Sequence, residues 1–162
     1  MAVALAFLLF CGVAEAAGPD ELSREAGFVF SAAHFSSGAE PGVGARFLHN
    51  YNPNIGFEFQ GVFYPVDSSV SFIQGTFQLK ATHRMESRSR VNLFAVLGPS
   101  FLVADPKDAA RTTKFGLNAG GGIEAILRPN LAVRADLTDF AVFTDGDSSH
   151  NFDFKLALMY RW

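Results

Sequence analysis

Phe152-Asp-Phe-Lys-Leu-Ala-Leu-Met-Tyr-Arg-Trp162 alternates without a break. Phe152, Phe154, Leu156, Leu158, Tyr160 and Trp162 fall on one side of an extended chain; Asp153, Lys155, Ala157, Met159 and Arg161 fall on the other. Strand side chains point alternately to two faces, so a period of two over this length spells one long strand with an aromatic face and a polar face. A strand that crosses a membrane in a closed barrel reads this way, its apolar face turned to lipid.

The same alternation recurs upstream. Ile55, Phe57, Phe59 and Phe63 oppose Glu58 and Gln60. Ile73, Phe77, Leu79 and Ala81 oppose Gln74, Thr76, Gln78 and Lys80. Phe115, Leu117, Ala119, Ile123, Ala125 and Leu127 oppose Asn118, Glu124 and several glycines, and Leu131, Val133, Ala135 and Leu137 oppose Arg134, Asp136 and Thr138. Strands are expected at about 27–36, 42–50, 55–64, 71–82, 91–103, 114–127, 131–143 and 151–162. Most reach the roughly 9–11 residues that a tilted strand needs to cross a bilayer. In the first and fifth both faces are partly apolar, so their facing stays open. Asn52-Pro53-Asn54 and Arg128-Pro129-Asn130 supply turn chemistry between neighbours. Pro53-Asn-Ile-Gly-Phe-Glu58 also matches Pro129-Asn-Leu-Ala-Val-Arg134 position by position, as two related hairpins would.

Composition agrees. Of 162 residues, 49% are hydrophobic, 18% are charged and 18 are Phe. No apolar run past the N-terminus approaches the ~20 residues of a spanning helix. A net charge of −3 gives no support to nucleic-acid binding. Residues 3–13 are an apolar run of signal-peptide length, and Ala14-Glu15-Ala16 has the small-x-small pattern of a cleavage site, so 1–16 is expected to be removed on export. Residues 17–26 then form a polar periplasmic lead-in and 27–162 the barrel domain. The only cysteine, Cys11, lies in the signal, which leaves the mature chain no thiol for a disulfide, a thiolate nucleophile or a zinc site.

If one face meets lipid, the other fills the lumen. Eight strands enclose a space just wide enough for side chains to close it. The inward set is Arg46, Glu58, Gln60, Gln74, Gln78, Lys80, Asn118, Glu124, Arg134, Asp136, Asp153, Lys155 and Arg161. Its mixed signs point to a paired, salt-bridged plug, because an unpaired buried charge is costly. Gly116, Gly120 and Gly122 leave inward gaps on one strand. With the mature N-terminus in the periplasm, the connections near 37–41, 65–70, 104–113 and 144–150 face outward, and those near 51–54, 83–90 and 128–130 face the periplasm.

The motifs that could carry chemistry are thin. Gly120-Gly-Gly122 lacks the spacing and the Lys-Ser/Thr of a phosphate loop. Asp145-Gly-Asp147 lacks the later ligands of a calcium loop. No pair among His34, His49, His83 and His150 has helical metal-ligand spacing. No catalytic, cofactor or metal residue is therefore assigned. The basic run His83-Arg-Met-Glu-Ser-Arg-Ser-Arg90 reads as a solvated turn, with phospholipid headgroups or a periplasmic partner as the alternative.

From Gly42 to Trp162 the chain resembles the small outer-membrane β-barrel family of OmpA/OmpX-like and opacity-like domains. Gly42-Val-Gly-Ala-Arg46, Tyr51-Asn-Pro-Asn54, Phe115-Gly-Leu-Asn-Ala-Gly-Gly-Gly-Ile-Glu124 and Arg128-Pro-Asn-Leu-Ala-Val-Arg-Ala-Asp136 carry the resemblance. It implies an all-β, eight-stranded antiparallel up-and-down transmembrane barrel in the outer membrane, with lipid as its surroundings. The closing strand resembles the signal read by the barrel-assembly machinery, which implies that Leu156, Leu158, Tyr160 and Trp162 form that signal. The expected role is structural or surface-interacting, without catalysis. Two alternatives stand beside it: a lipid-modifying barrel enzyme similar to lipid A deacylases, for which only His34 and Ser36 are candidates, and a narrow porin-like channel.

Overall fold

In the computed structural model, residues 24–35, 38–66, 70–84, 90–107, 109–144 and 147–162 are described. The signal expected at 1–16, most of the lead-in, Ser36, Asp145 and residues 85–89 of the basic run lie outside them.

Eight antiparallel strands follow in order: β1 (Arg24–Phe35), β2 (Gly38–Asn52), β3 (Ile55–Pro65), β4 (Val70–Arg84), β5 (Val91–Pro106), β6 (Thr112–Arg128), β7 (Leu131–Thr144) and β8 (Asp147–Arg161). Each pairs with its neighbours in sequence, and β1 pairs with β8 to close the ring. Closure leaves no sheet edge, so backbone N–H and C=O groups are satisfied between strands where water is absent. The seam holds as far as Trp162: Arg24 N donates to Trp162 O (3.2 Å) and Trp162 N to Arg24 O (2.9 Å).

The strands run from 11 to 17 residues, longer than expected at most ends. β1 starts at Arg24, not at 27, so the final residues assigned to the lead-in belong to the barrel wall. The pairing of Arg24 with His49 and of Glu25 with Leu48 carries the strand back beyond its apolar stretch. The two related hairpins do share their irregularity: each turns on a Pro-Asn pair and shifts register by one residue, at Asn50/Asn52 and at Ile126/Arg128. Asn52 Oδ1 accepts from the backbone N–H of Asn54 (2.9 Å) and Ile55 (2.8 Å), which fixes the first of them.

Facing is inverted relative to a water-soluble protein. Phe30 is 63% exposed and Phe28, Phe59, Phe77, Phe154 and Leu158 also lie open on the outer wall, whereas Glu58 and Arg134 are 0% exposed inside. The open facing of the first and fifth strands resolves too. Phe28 and Phe30 point out while Val29 and Ser31 point in; Leu93 and Leu97 point out while Phe94 and Val96 point in.

On β6 a Cβ at Gly122 would run into the Ala135 carbonyl and Asp136 Cα of β7, and one at Gly120 into the Leu137 carbonyl and Thr138. These glycines admit a close approach of two backbones. Gly61 on the outer wall has open space instead. Gly122→Val is therefore expected to lose about 1–3 kcal/mol of folding free energy through forced backbone shifts, and Gly61→Ala to stay within about 0.5 kcal/mol of the parent. Urea unfolding in lipid vesicles measures both.

Candidate functional site in the barrel lumen

Alternation sends one residue in two from every strand into the lumen, and there the ionisable side chains meet. Arg46 from β2 donates to Asp136 from β7 through Nη1 (3.1 Å to Oδ1) and Nη2 (2.8 Å to Oδ2), and through Nη2 to Gln60 Oε1 (2.5 Å). Arg134 from β7 donates through Nη1 to Glu58 Oε2 on β3. Around an eight-strand ring, β3 and β7 are four places apart in either direction, so this pair spans the bore. Gln78 Nε2 donates to the other Glu58 oxygen (2.6 Å), and Asn118 Nδ2 to Gln78 Oε1 (2.6 Å). Lys80 from β4 donates to Glu124 from β6 (2.8 Å). The Phe94 ring from β5 lies under the Arg134 guanidinium, 3.8 Å from ring centre to Cζ, with Lys80 Nζ at 5.2 Å. An aromatic face attracts such cations and fills space between them.

A second network sits nearer the hairpin rim opposite the termini. Tyr64 Oη lies 2.7 Å from Asp153 Oδ2, 3.0 Å from Ser31 Oγ and 3.0 Å from Gln74 Oε1, and Ser31 Oγ also donates to Asp153. One hydroxyl proton cannot serve two acceptors. With the Tyr64 hydroxyl donating to Asp153, Gln74 can pair with Oη only if its amide is flipped to present the otherwise unpartnered Nε2. Lys155 Nζ completes the group, 2.9 Å from Asp153 and 2.6 Å from Thr138 Oγ1. Beyond it the lumen turns apolar. Phe35 packs edge-on against Tyr64 (centroids 5.3 Å apart) and tilted against Phe72 (5.1 Å, planes 38° apart), with Val62, Leu102, Phe140 and Val142 in the same cluster. At the terminal rim Glu25 takes a hydrogen bond from Asn50 (2.9 Å) and faces Arg161 (3.4 Å).

The structure thus places Arg46, Glu58, Lys80, Glu124, Arg134, Asp136, Asp153, Lys155 and Arg161 inside, all buried. Glu58 and Arg134, equivalent positions of the two related hairpins, bond to each other. Glu25 is the inward acid that the sequence reading passed over as lead-in. With it the described lumen holds five acids (Glu25, Glu58, Glu124, Asp136, Asp153) and five bases (Arg46, Lys80, Arg134, Lys155, Arg161). The aromatic cap was also missed: Phe35 belongs to a strand with apolar residues on both faces, and Phe140 lies on β7 past the residues whose facing the sequence reading assigned. Glu25, Gly27, Val29, Ser31 and Ala33 do alternate with Phe28 and Phe30, a pattern that extends the first strand backward. Leu156, Leu158 and Tyr160 line the outer face of β8, and Trp162 follows directly after it. His34 is exposed on the outer wall. Among the described residues the carboxylate–imidazole contact involves a different histidine: His150 Nδ1 lies 2.6 Å from Asp139 Oδ2.

No curated protein sequence matches this chain. Solved structures do. The N-terminal β-barrel domain of Pseudomonas aeruginosa OprF aligns over 90% of this chain and 100% of its own, with a TM-score of 0.72 at 11% identity. Neisserial surface protein A aligns over 87% and 97%, with a TM-score of 0.65 at 13% identity. Ail, the attachment invasion locus protein of Yersinia pestis, aligns over 86% and 97%, with a TM-score of 0.58 at 16% identity. Identities this low speak for the fold alone. The sequence itself matches the outer membrane protein β-barrel domain over residues 3–161, and with an apolar outer wall around a charged interior the chain belongs to that family of transmembrane barrels of the outer membrane.

Proposed function

We propose that this barrel is a structural or surface-interacting protein of the outer membrane, without catalytic activity, whose lumen is closed by its own side chains. The observation that carries the reading is the Glu58–Arg134 bond across the bore, backed by Arg46–Asp136 and Lys80–Glu124. A conducting path would have to break these pairs and then pass the apolar Phe35–Tyr64–Phe72 cap, which offers an ion no replacement for its water. Short connections between the long strands, such as residues 36–37 and 145–146, support a structural role over an elaborate receptor. Export by a signal at 1–16 and recognition of Leu156, Leu158, Tyr160 and Trp162 by the barrel-assembly machinery complete the proposal.

Planar-bilayer recording tests it. The purified barrel is expected to give no stable unitary conductance; reproducible open levels would refute the closed lumen. Lipid A mass spectra from cells with and without the protein test the second element. Identical spectra are expected, and any acyl chain lost only when the protein is present would show an enzyme.

A further inference from the structure

Outward-pointing Ala26 is only 9% exposed although it lies on the lipid-facing wall. Its cross-strand partners are Phe47 and Tyr160. The Trp162 ring stacks on Tyr160 (centroids 5.9 Å, planes 27° apart) and faces Phe47 (6.4 Å). Three rings from β2 and β8 thus close over a small residue of β1 and make a shelf at the terminal rim. One step nearer the water, Arg24 is bonded through its backbone to Trp162 and is paired in register with His49. Both side chains are exposed. Among the described residues the acid next to Arg24 in the chain, Glu25, points the other way and faces Arg161 inside the lumen.

We infer that this corner binds the headgroup of an anionic phospholipid. The membrane's apolar belt ends here, at rings that favour the interface. A lipid seated on the shelf would bring its phosphate level with a guanidinium and an imidazole N–H, and a planar guanidinium matches phosphate oxygens in charge and geometry. A zwitterionic lipid carries an ammonium that offsets this attraction; a phosphatidylglycerol does not.

Trp162 is the only tryptophan of the chain and sits in the site, so it reports directly. The full-length protein in dodecyl maltoside is mixed with brominated phosphatidylglycerol or brominated phosphatidylcholine, and quenching of Trp162 gives relative binding. The phosphatidylglycerol is expected to bind about fivefold more strongly than the phosphatidylcholine, the scale of one basic residue at an anionic surface. The preference should vanish in 0.5 M NaCl (about a 4 Å screening length) and in the R24Q/H49Q variant. That variant should keep heat-modifiable migration on a detergent gel, since neither substituted side chain enters the lumen. Equal quenching by both lipids would overturn the site, as would a preference that survives in the folded double variant. Reversal of the quenching by millimolar inorganic phosphate would overturn it too, because the corner would then be a free-anion site.

Discussion

Arg134→Ala is expected to remove about 3–5 kcal/mol of folding free energy, because it takes from the fully buried Glu58 carboxylate its closest cation. The other Glu58 oxygen accepts from Gln78 and lies 3.5 Å from Arg46 Nε, a guanidinium that already donates twice to Asp136 and cannot serve Glu58 as Arg134 does. Truncation also leaves the Phe94 ring without the cation stacked on it. Glu58→Ala should lose a similar amount by leaving the buried Arg134 only the more distant Asp136 carboxylate, 3.7 Å from its Nε. The double variant Glu58→Met/Arg134→Met removes both charges and fills the space, so its loss should be much smaller than the sum of the two. Urea unfolding in phosphatidylcholine vesicles measures all three. Additive losses would mean that the two residues do not act as a pair. Conductance of the alanine variants adds a second reading, since loss of the pair that spans the bore is expected to loosen the central barrier while the aromatic cap remains.

Phe30→Arg should be nearly as damaging for the opposite reason. Phe30 lies mid-strand on β1, 63% exposed, with the outward apolar residues Val43 and Leu156 opposite it on the neighbouring strands. In lipid that exposure is contact with hydrocarbon, and an arginine near the midplane of a barrel costs about 2–4 kcal/mol. His34→Arg, on the same face of the same strand but at its rim, should cost at most about 1 kcal/mol. The ratio between the two sites matters more than either value. If both substitutions were equally mild, the apolar wall would not be in lipid.

Much of this architecture was legible because a strand's period of two separates lipid-facing from lumen-facing residues. On β3, β4, β7 and β8 the two faces differ so sharply in polarity that the inward residues could be named from spacing alone. Legibility failed where the faces were alike. β1 and β5 carry apolar residues on both sides, so Phe35, Phe94 and Val96 gave no sign of pointing inward, and the aromatic cap stayed hidden. Glu25 was missed because polarity near a strand's beginning resembles a leader; the alternation back from Ala33 hints at a longer strand, and the register with β2 and β8 establishes it. Equivalent hairpin positions put Glu58 and Arg134 in the lumen network, but nothing in the sequence said that they bond to each other. The pairs depend on how strand stagger sets heights around the ring, which no local pattern encodes. The outward Asp139–His150 contact likewise joins residues whose meeting follows from the β7–β8 register.

Seven of the eight ladders join strands adjacent in sequence, and one, β1 to β8, joins residues such as Glu25 and Arg161 from nearly opposite ends of the described chain. Hairpins can zip locally and fast, but a contact of that separation has to wait for everything between. Until it forms, the molecule is a curled ribbon with two bare borders of unsatisfied amides, one on β1 and one on β8, each able to capture a stranger's strand. Cells making this protein must therefore keep those borders apart from other ribbons for as long as the circle stays unjoined.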